Sequence, residues 1–577
     1  MFRSLYILVL LFGSFPLLAQ NVGGFFDQIN QRIQDKDIIR LNGALNANLS
    51  WNTISGISRR QDNFMWSAGA SISLDLMGIK TPFSAAFSNG SEVYRLPSYS
   101  FYGLSPSYKW ITLHGGDRNM TLSPYTFSGT SFRGGGVELT PGKITFGAFH
   151  GRLRRASAAD AGAIQAIESR FRRMGSGLKF GFSGKATKFT VAGFYGRDVE
   201  EVLSQNSIDT LDSPEENLAI SIELDQKISS ALSFRAILAR TALTRDHTAN
   251  RLDNPGFGQR MYGLYRPFIS TSFHNAYEFV VNFQPKVATF GLHYKRVDPG
   301  YRTLGSLFFQ NDLENITGQF SMPIAEGKFQ LMLSSGLQRN NLASQNASDF
   351  SRFIGSANLS ATWSERLSTQ LSASNFNTTN RLRAIAAVNP DIDSIVIVQS
   401  NVSLSLGGSY LLGKDKNHVF AANFSYQAAN AIRNEEVDTT QQTNFMLGVI
   451  NYSYRPKKGK GSLTVSVLAN RNTLSVGTIT TLGPSLSFNR PILNETVSLN
   501  STAVYSRVMS SINPTSSILR LQLSSGIQVA KTQNLSFQCS YVINNAAQNS
   551  FREFQVGLSY GMTFAAKRKQ GEKPRQE

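Results

Sequence analysis

"GGGVELTPGKITFGAF", residues Gly134–Phe149, reads in two ways. Its clustered glycines and Gly142-Lys143 suggest a loop that cradles phosphate. Such a loop has four residues between its first glycine and Gly-Lys, then Ser or Thr for the magnesium ion. Counting back from Gly142 puts Val137 where that glycine belongs, and Ile144 stands where the hydroxyl is needed. What remains is Thr140-Pro141-Gly142-Lys143, with proline fixing one turn dihedral and glycine supplying the positive one. The stretch turns the chain.

The rest of the sequence shows what is being turned. A soluble chain of 577 residues would form about three or four domains. Only 16% of residues are charged, well under the roughly 25% of soluble domains. Mean hydropathy is nonetheless slightly negative, and no internal run approaches the ~18 apolar residues of a membrane helix. Strands that alternate an apolar lipid face with a polar inner face give this composition, as in a membrane β-barrel.

The amino terminus, "MFRSLYILVLLFGSFPLLAQ", has Arg3, an apolar core from Leu5 to Phe15 and a cleavage site after Ala19, the pattern of an export signal over residues 1–19. In residues 20–38, Phe25, Phe26, Ile29 and Ile33 fall at helical spacing, predicting a short amphipathic helix in the periplasm or the barrel mouth. Cys539 is the single cysteine, so there is no disulfide framework. It alternates with Leu535, Phe537 and Tyr541 as a small apolar side chain.

From Ile39 the period becomes two. Leu41, Leu45, Leu49 and Trp51 share one face, with Asn42, Asn46, Asn48 and Ser50 opposite. Leu519, Leu521 and Leu523 alternate with Arg520, Gln522 and Ser524. Connections alternate as well: short turns such as "TPGK", "QPK", "SERL", "GKDK" and "AKTQN" separate longer polar links such as Val199–Pro214, Leu243–His274 and Thr378–Ile392. Short periplasmic turns and longer external loops are the rhythm of outer-membrane barrels. Twelve short turns, including one near Leu104-Ser105-Pro106 and one at Thr140–Lys143, predict 26 strands over residues 39–564, within a range of 22 to 26. The expected fold is all-β: one large antiparallel up-and-down barrel with both mature termini in the periplasm of a Gram-negative cell.

The last strand alternates Phe554, Val556, Leu558, Tyr560, Met562 and Phe564. Gln555-x-Gly557-x-x-Tyr560-x-Met562, ending at Phe564, resembles the assembly signal read by the barrel-assembly machinery of bacterial outer membranes. A basic tail, residues 565–577, follows it, a departure from barrels that end at the aromatic. The block Gly103–Ala156 is similar to a group of outer-membrane barrel proteins of Bacteroidota, through "SPSYKWITLH", "LSPYTFSGTSF", "GVELTPGK" and "GRLRRA". That resemblance implies fold and location and brings no established activity.

The formal charge of +19 points to anionic lipid and lipopolysaccharide rather than nucleic acid, which an exported chain rarely meets. If the apolar sets face lipid, Lys179, Arg235, Lys295, Arg520, Glu223 and Glu278 point inward, where charge selects solutes by sign or fills a plugged barrel. His150, Arg152 and Arg154 share a face near an outer rim, and Arg170, Arg172 and Arg173 return across the same loop. These arginines are candidates for lipopolysaccharide phosphates, since guanidinium grips phosphate through two hydrogen bonds; solvated rim charge is the alternative. The seven carboxylates of "DVEEVLSQNSIDTLDSPEE" lack the spacing of a calcium loop and read as a solvated loop. The six histidines are scattered and show no metal-ligand spacing. No catalytic residue, metal site or cofactor is expected. Two functions stay open: a channel or conduit for solute or polymer, and a non-conducting accessory subunit of an outer-membrane assembly or secretion complex, docked to other outer-membrane or periplasmic proteins.

Overall fold

The computed structural model describes residues 39–76, 79–89, 99–156, 170–199, 213–306, 310–344, 348–382, 395–433, 436–456, 461–493, 496–547 and 549–565. The export signal, the helix expected at 20–38 and the basic tail after residue 565 lie outside the described residues.

Strand segments run from β1 (Ile39–Ser55) and β2 (Phe64–Leu76) to β26 (Gln533–Asn545) and β27 (Phe551–Phe564). Neighbours in sequence pair antiparallel, and β27 pairs back onto β1 from Gly43↔Phe564 to Ser55↔Arg552, closing the sheet. β4 (Tyr99–Leu104) and β5 (Ser107–Tyr108) both lie between β3 (Ile79–Ser88) and β6 (Ile111–Asn119), so they are two parts of one wall strand. The twenty-seven segments therefore make a closed barrel of twenty-six staves. With strands ~4.8 Å apart and tilted ~40°, its perimeter is roughly 160 Å.

One expected turn moves. Leu104-Ser105-Pro106 does not reverse the chain; it is an interruption inside a stave, after which Leu113 N donates to the Pro106 carbonyl at 2.8 Å. Proline has no N–H for the ladder and is tolerated at such irregularities. The reversal comes at Lys109-Trp110, between the paired Tyr108 and Ile111, with Lys109 at φ 51°. A two-residue hairpin needs positive φ.

The parity read from the sequence holds around the wall. On β22 (Ser462–Leu474), Leu463, Val465 and Val467 are exposed and alternate with half-buried Thr464 and Ser466. In register they continue to Phe488, Leu486 and Pro484 on β23 (Gly477–Ile492). At β1, Leu45 and Leu49 face the same way as Met562 and Leu558. Gly43 leaves room for the last aromatic: a Cβ there would stand 2.8 Å from Phe564 Cζ. Near the short-turn rim the outer face carries a row of aromatic rings, Phe283 stacked on Phe290 at 6.2 Å and Phe290 tilted against Phe320 at 5.0 Å.

The clusters of buried apolar side chains gather on one arc, comprising β7 (Ser131–Leu139), β8 (Ile144–Arg154), β9 (Arg172–Ser183), β10 (Thr187–Val199), β11 (Glu216–Lys227), β12 (Leu232–Thr244), β13 (Thr271–Phe283) and β14 (Thr289–Val297). Two long-rim loops, residues 120–130 before β7 and 298–306 leading toward β15 (Leu313–Ile324), fold against its inner face. A third, residues 245–270, folds the other way onto its outer face. That third segment, expected as an extended polar link, is instead a compact flap, because Met261 and Tyr265 find an apolar patch to cover.

Candidate functional site

The two infolded loops are the site, and inward-facing residues of the wall explain why they lie there. Phe132, Phe149 and Phe194 point inward from β7, β8 and β10 and enclose Phe127 of the first loop. Ring centroids are 4.4 Å apart for Phe127–Phe149, 5.4 Å for Phe127–Phe194 and 4.5 Å for Phe132–Phe149. Burying one such ring is worth about 1.5–3 kcal/mol, so the cluster holds the loop firmly. The wall makes space with glycine. A Cβ at Gly177 would stand 2.3 Å from the Phe149 ring and 2.5 Å from Leu122, and one at Gly134 would meet the His150 carbonyl at 2.1 Å. The glycine cluster that imitates a phosphate loop is thus part of a seat for another loop.

The loops are zipped to each other. Phe127 pairs with Gly305 in a parallel bridge, Ser128 N donates to the Gly305 carbonyl at 3.1 Å, and Thr303 Oγ1 donates to the Thr126 carbonyl at 2.7 Å. Tyr301 OH donates to the Tyr125 carbonyl at 2.8 Å. Both are tied to the wall through Asn217, which is fully buried: its amide donates to Thr241 Oγ1 at 2.7 Å and to the Ala242 carbonyl at 2.9 Å, and its Oδ1 accepts from Leu304 N at 3.1 Å. Using both donors and the acceptor removes the penalty of a buried amide.

At the deep end Tyr125 OH donates to Glu278 Oε2 at 2.6 Å, while His293 Nε2 lies 3.2 Å from Glu278 Oε1. Lys295 stands over the Tyr125 ring, 5.7 Å from its centroid. Burial and the adjacent Glu278 carboxylate push the Tyr125 phenol well above the ordinary tyrosine range, so it remains a donor. Burial alone pushes Tyr301 up in the same way.

The inward positions expected from parity converge here. Lys179 Nζ donates to the Thr121 carbonyl at 3.2 Å, bracing the first loop. Asp225 opposes Arg235 in register, with 3.4 Å between their charged atoms, and Arg235 also lies 3.7 Å from Glu223. Glu278 opposes Lys295 on the next pair of strands. The result is a ladder of alternating charge beneath the loops. Arg520 shares the inward parity but stands apart from this group, on β25 (Ser516–Ala530) opposite Val504 and Val542.

The arginines expected together at the rim divide. A register shift between Arg152 and Arg154 rotates the strand there, so Leu153 packs on the inner aromatic cluster and Arg154 sits opposite Arg173. The expectation that His150, Arg152 and Arg154 share one face is therefore corrected for Arg154. Arg173 is buried and grips Asp198 through Nε at 2.7 Å and through its second nitrogen at 2.8 Å; that nitrogen also reaches Glu215 at 2.8 Å. Arg154 joins at 3.4 Å from Asp198, and Arg302 of the second loop binds Glu215 at 2.7 Å. Carboxylates of the acidic loop thus neutralise inner arginines. Arg152 keeps the outward parity of His150, Arg172 opposes Val199 on the outer face, and Arg170 is exposed. Beside Arg152, Arg133 makes a two-point pair with outward Asp117, 2.7 Å at Nε, and stacks on Tyr102 at 4.9 Å. Parity alone flagged neither residue.

The residues of the assembly-signal pattern all lie at the seam, Gln555 and Gly557 opposite Asn52 and Ser50, Tyr560, Met562 and Phe564 opposite Ala47, Leu45 and Gly43. Among the described residues no group of three His, Cys, Asp or Glu side chains is placed to hold a metal ion.

No family model matches the chain, and no curated sequence relative matches it. Solved structures do. The translocation pore of the P pilus usher (PapC) is 11% identical, with a TM-score of 0.37 over 91% of this chain and 100% of that one. The siderophore receptor PirA from Pseudomonas aeruginosa is 12% identical, with a TM-score of 0.38 over 91% and 80%. The FrpB iron transporter from Neisseria meningitidis is 11% identical, with a TM-score of 0.36 over 90% and 81%.

The arc that follows β15 is different. Across β16 (Phe329–Arg339), β17 (Ser348–Thr362), β18 (Leu367–Leu382), β19 (Ile395–Leu412) and β20 (His418–Arg433), the inward row Ser334, Ser356, Ser374, Ser403 and Gln427 stands in register. No described loop residue belongs to a buried cluster on this side. This row can hydrogen-bond water and hydrated solutes without fixing a charge; Arg352, on the same face of β17 and paired with Gln338 and Thr378, stands outside the row over the Phe376 ring.

Proposed function

We propose that this protein is an outer-membrane conduit for hydrophilic solutes, narrowed from one side by the loops at residues 120–130 and 298–306. The observation that carries the proposal is the asymmetry of the interior: one arc bears two pinned loops above a charge ladder, and the neighbouring arc from β16 to β20 presents a row of hydroxyls and amides. A perimeter of roughly 160 Å encloses far more space than wall side chains fill. Membrane placement is supported by the exposed apolar exterior, by aromatic rings near the short-turn rim where a girdle belongs, and by closure, which leaves no backbone edge facing lipid. The resemblance to barrels of Bacteroidota, the export signal and periplasmic termini belong to the same proposal.

The ladder of Glu223, Asp225, Arg235, Glu278 and Lys295 would act on solutes by sign at the narrowed level. Single-channel recording in planar bilayers tests the proposal. Stepwise, steady currents are expected from the purified barrel. A silent barrel that co-purifies with other envelope proteins in fixed stoichiometry would replace the conduit by the accessory-subunit reading.

A further inference from the structure

The flap at residues 245–270 is apolar on both sides. Toward the wall, Met261 and Tyr265 are buried with Ala242 and packed by Tyr195, Leu218, Ile220 and Phe273, all outward-facing residues of β10 to β13. Tyr265 OH bonds Thr244 Oγ1 at 2.5 Å, and Thr244 bonds Thr271 at 2.7 Å. Away from the wall, Phe257 is 71% exposed, Leu264 and Ile269 are each 67% exposed, and Tyr262 is 60% exposed. These side chains are displayed by a built structure. Met261, Tyr262 and Gly263 take three successive left-handed conformations, φ 46°, 61° and 93°, in a turn closed by Tyr265 N donating to the Arg260 carbonyl at 2.9 Å. Arg251 Nη1 ties back to the Arg266 carbonyl at 2.5 Å and stacks on Phe268 at 4.0 Å. Folding an external loop to hold four large apolar side chains away from the protein calls for an apolar medium beside it.

We infer that the flap is a membrane-surface anchor, seated in the lipid headgroup and upper acyl region of the external leaflet. The inference rests on the membrane placement proposed above. Height supports it. Leu238 and Ile222, exposed on the outer wall, stand next to the patch that the flap covers, so its apolar side continues the wall's apolar exterior at the long-loop rim. Charge supports it too: Arg245, Arg251, Arg260 and Arg266 are exposed around the flap, against Asp246 and Asp253, a surplus of guanidinium suited to lipid phosphates.

The test places a nitroxide on the intact barrel, in a Cys539→Ser background, at Phe257→Cys or at Leu404→Cys on the outer wall. The barrel is reconstituted in vesicles of phosphatidylcholine and phosphatidylglycerol, and collisions with oxygen are compared with collisions with a water-soluble nickel chelate. Oxygen collisions are expected to dominate at both positions, with position 257 the shallower. If position 404 reads lipid and position 257 reads water, the anchor is wrong and the membrane placement stands. If both read water, the placement fails and takes the anchor with it. Position 257 is exposed and makes no inward packing, so its substitution leaves the fold intact.

Discussion

The arc from β7 to β14 and the arc from β16 to β20 are built on one plan, alternating strands joined by hairpins, yet their inner faces obey different rules. On the first arc glycines and phenylalanines alternate, so backbone and ring surfaces lie open to a second layer, and the loops supply it. On the second arc a continuous row of Ser334, Ser356, Ser374, Ser403 and Gln427 crosses the middle of the inner face; hydroxyls and amides can be satisfied by water and give a loop no apolar seat there. The difference teaches that a barrel's inner face chooses whether it will be bare. Size alone does not decide.

The strongest way to break the contrast is to remove the second layer. Replacing Ser123–Phe127 by a Gly-Ser linker of equal length takes out the Phe127 ring and the Tyr125 tether; single-channel conductance is expected to rise about twofold, as the widened lumen becomes more like its bare side. Unchanged conductance would show that the loops do not limit flow.

A single glycine should approach the same result. Gly177→Val places side-chain carbons into space held by Phe149 and Leu122 and should cost about 1–3 kcal/mol through overpacking. Ser374→Val on β18, an inward position of the serine row with no described loop packed over it, should leave thermal unfolding nearly unchanged. Equal melting temperatures for the two variants would erase the distinction between arcs.

Tyr125→Phe sharpens the energetics. It removes a hydrogen bond to a carboxylate, worth about 1.5–3 kcal/mol, and should raise amide hydrogen exchange in residues 120–130 while leaving the strands protected. The wild-type tether should also depend on pH. Because the folded phenol titrates above the ordinary tyrosine range, its contribution is complete below about pH 10 and declines as pH rises toward the folded value. Exchange that accelerates well below that range would point to another group. The smallest effect is expected from Arg520→Gln, an inward charge away from the ladder: a slight shift of reversal potential toward cations, smaller than that of Lys295→Gln within the ladder.

Much of the wall was legible because strand parity is local information. Leu519, Leu521 and Leu523 against Arg520 and Gln522 assign their own faces, and so do Lys179, Arg235, Lys295, Glu223 and Glu278. Pro106 misled because it marks both turns and ladder interruptions, and the residue that makes the turn, Lys109, carries no turn signature. Arg154 misled because one extra residue in a strand reverses every parity beyond it. The infolded site was not legible: Tyr125 meets Glu278 across 153 positions and Thr303 meets Thr126 across 177. No window of sequence contains such pairs. The local trace was the glycine cluster beside Thr140–Lys143, read as a stretch that turns the chain, as it does between β7 and β8, but without its second purpose.

The seam between β1 and β27 has a consequence for biogenesis. Asn52 donates to Glu553 from 501 positions away, and the pattern ending at Phe564 sits on the strand that completes the ring. Until that final strand arrives, the growing sheet has an unfinished border with unpaired amides, the kind of edge on which polypeptides aggregate. Pairing of β27 on β1 removes that border, so the seam is what turns an aggregation-prone sheet into a wall without an edge.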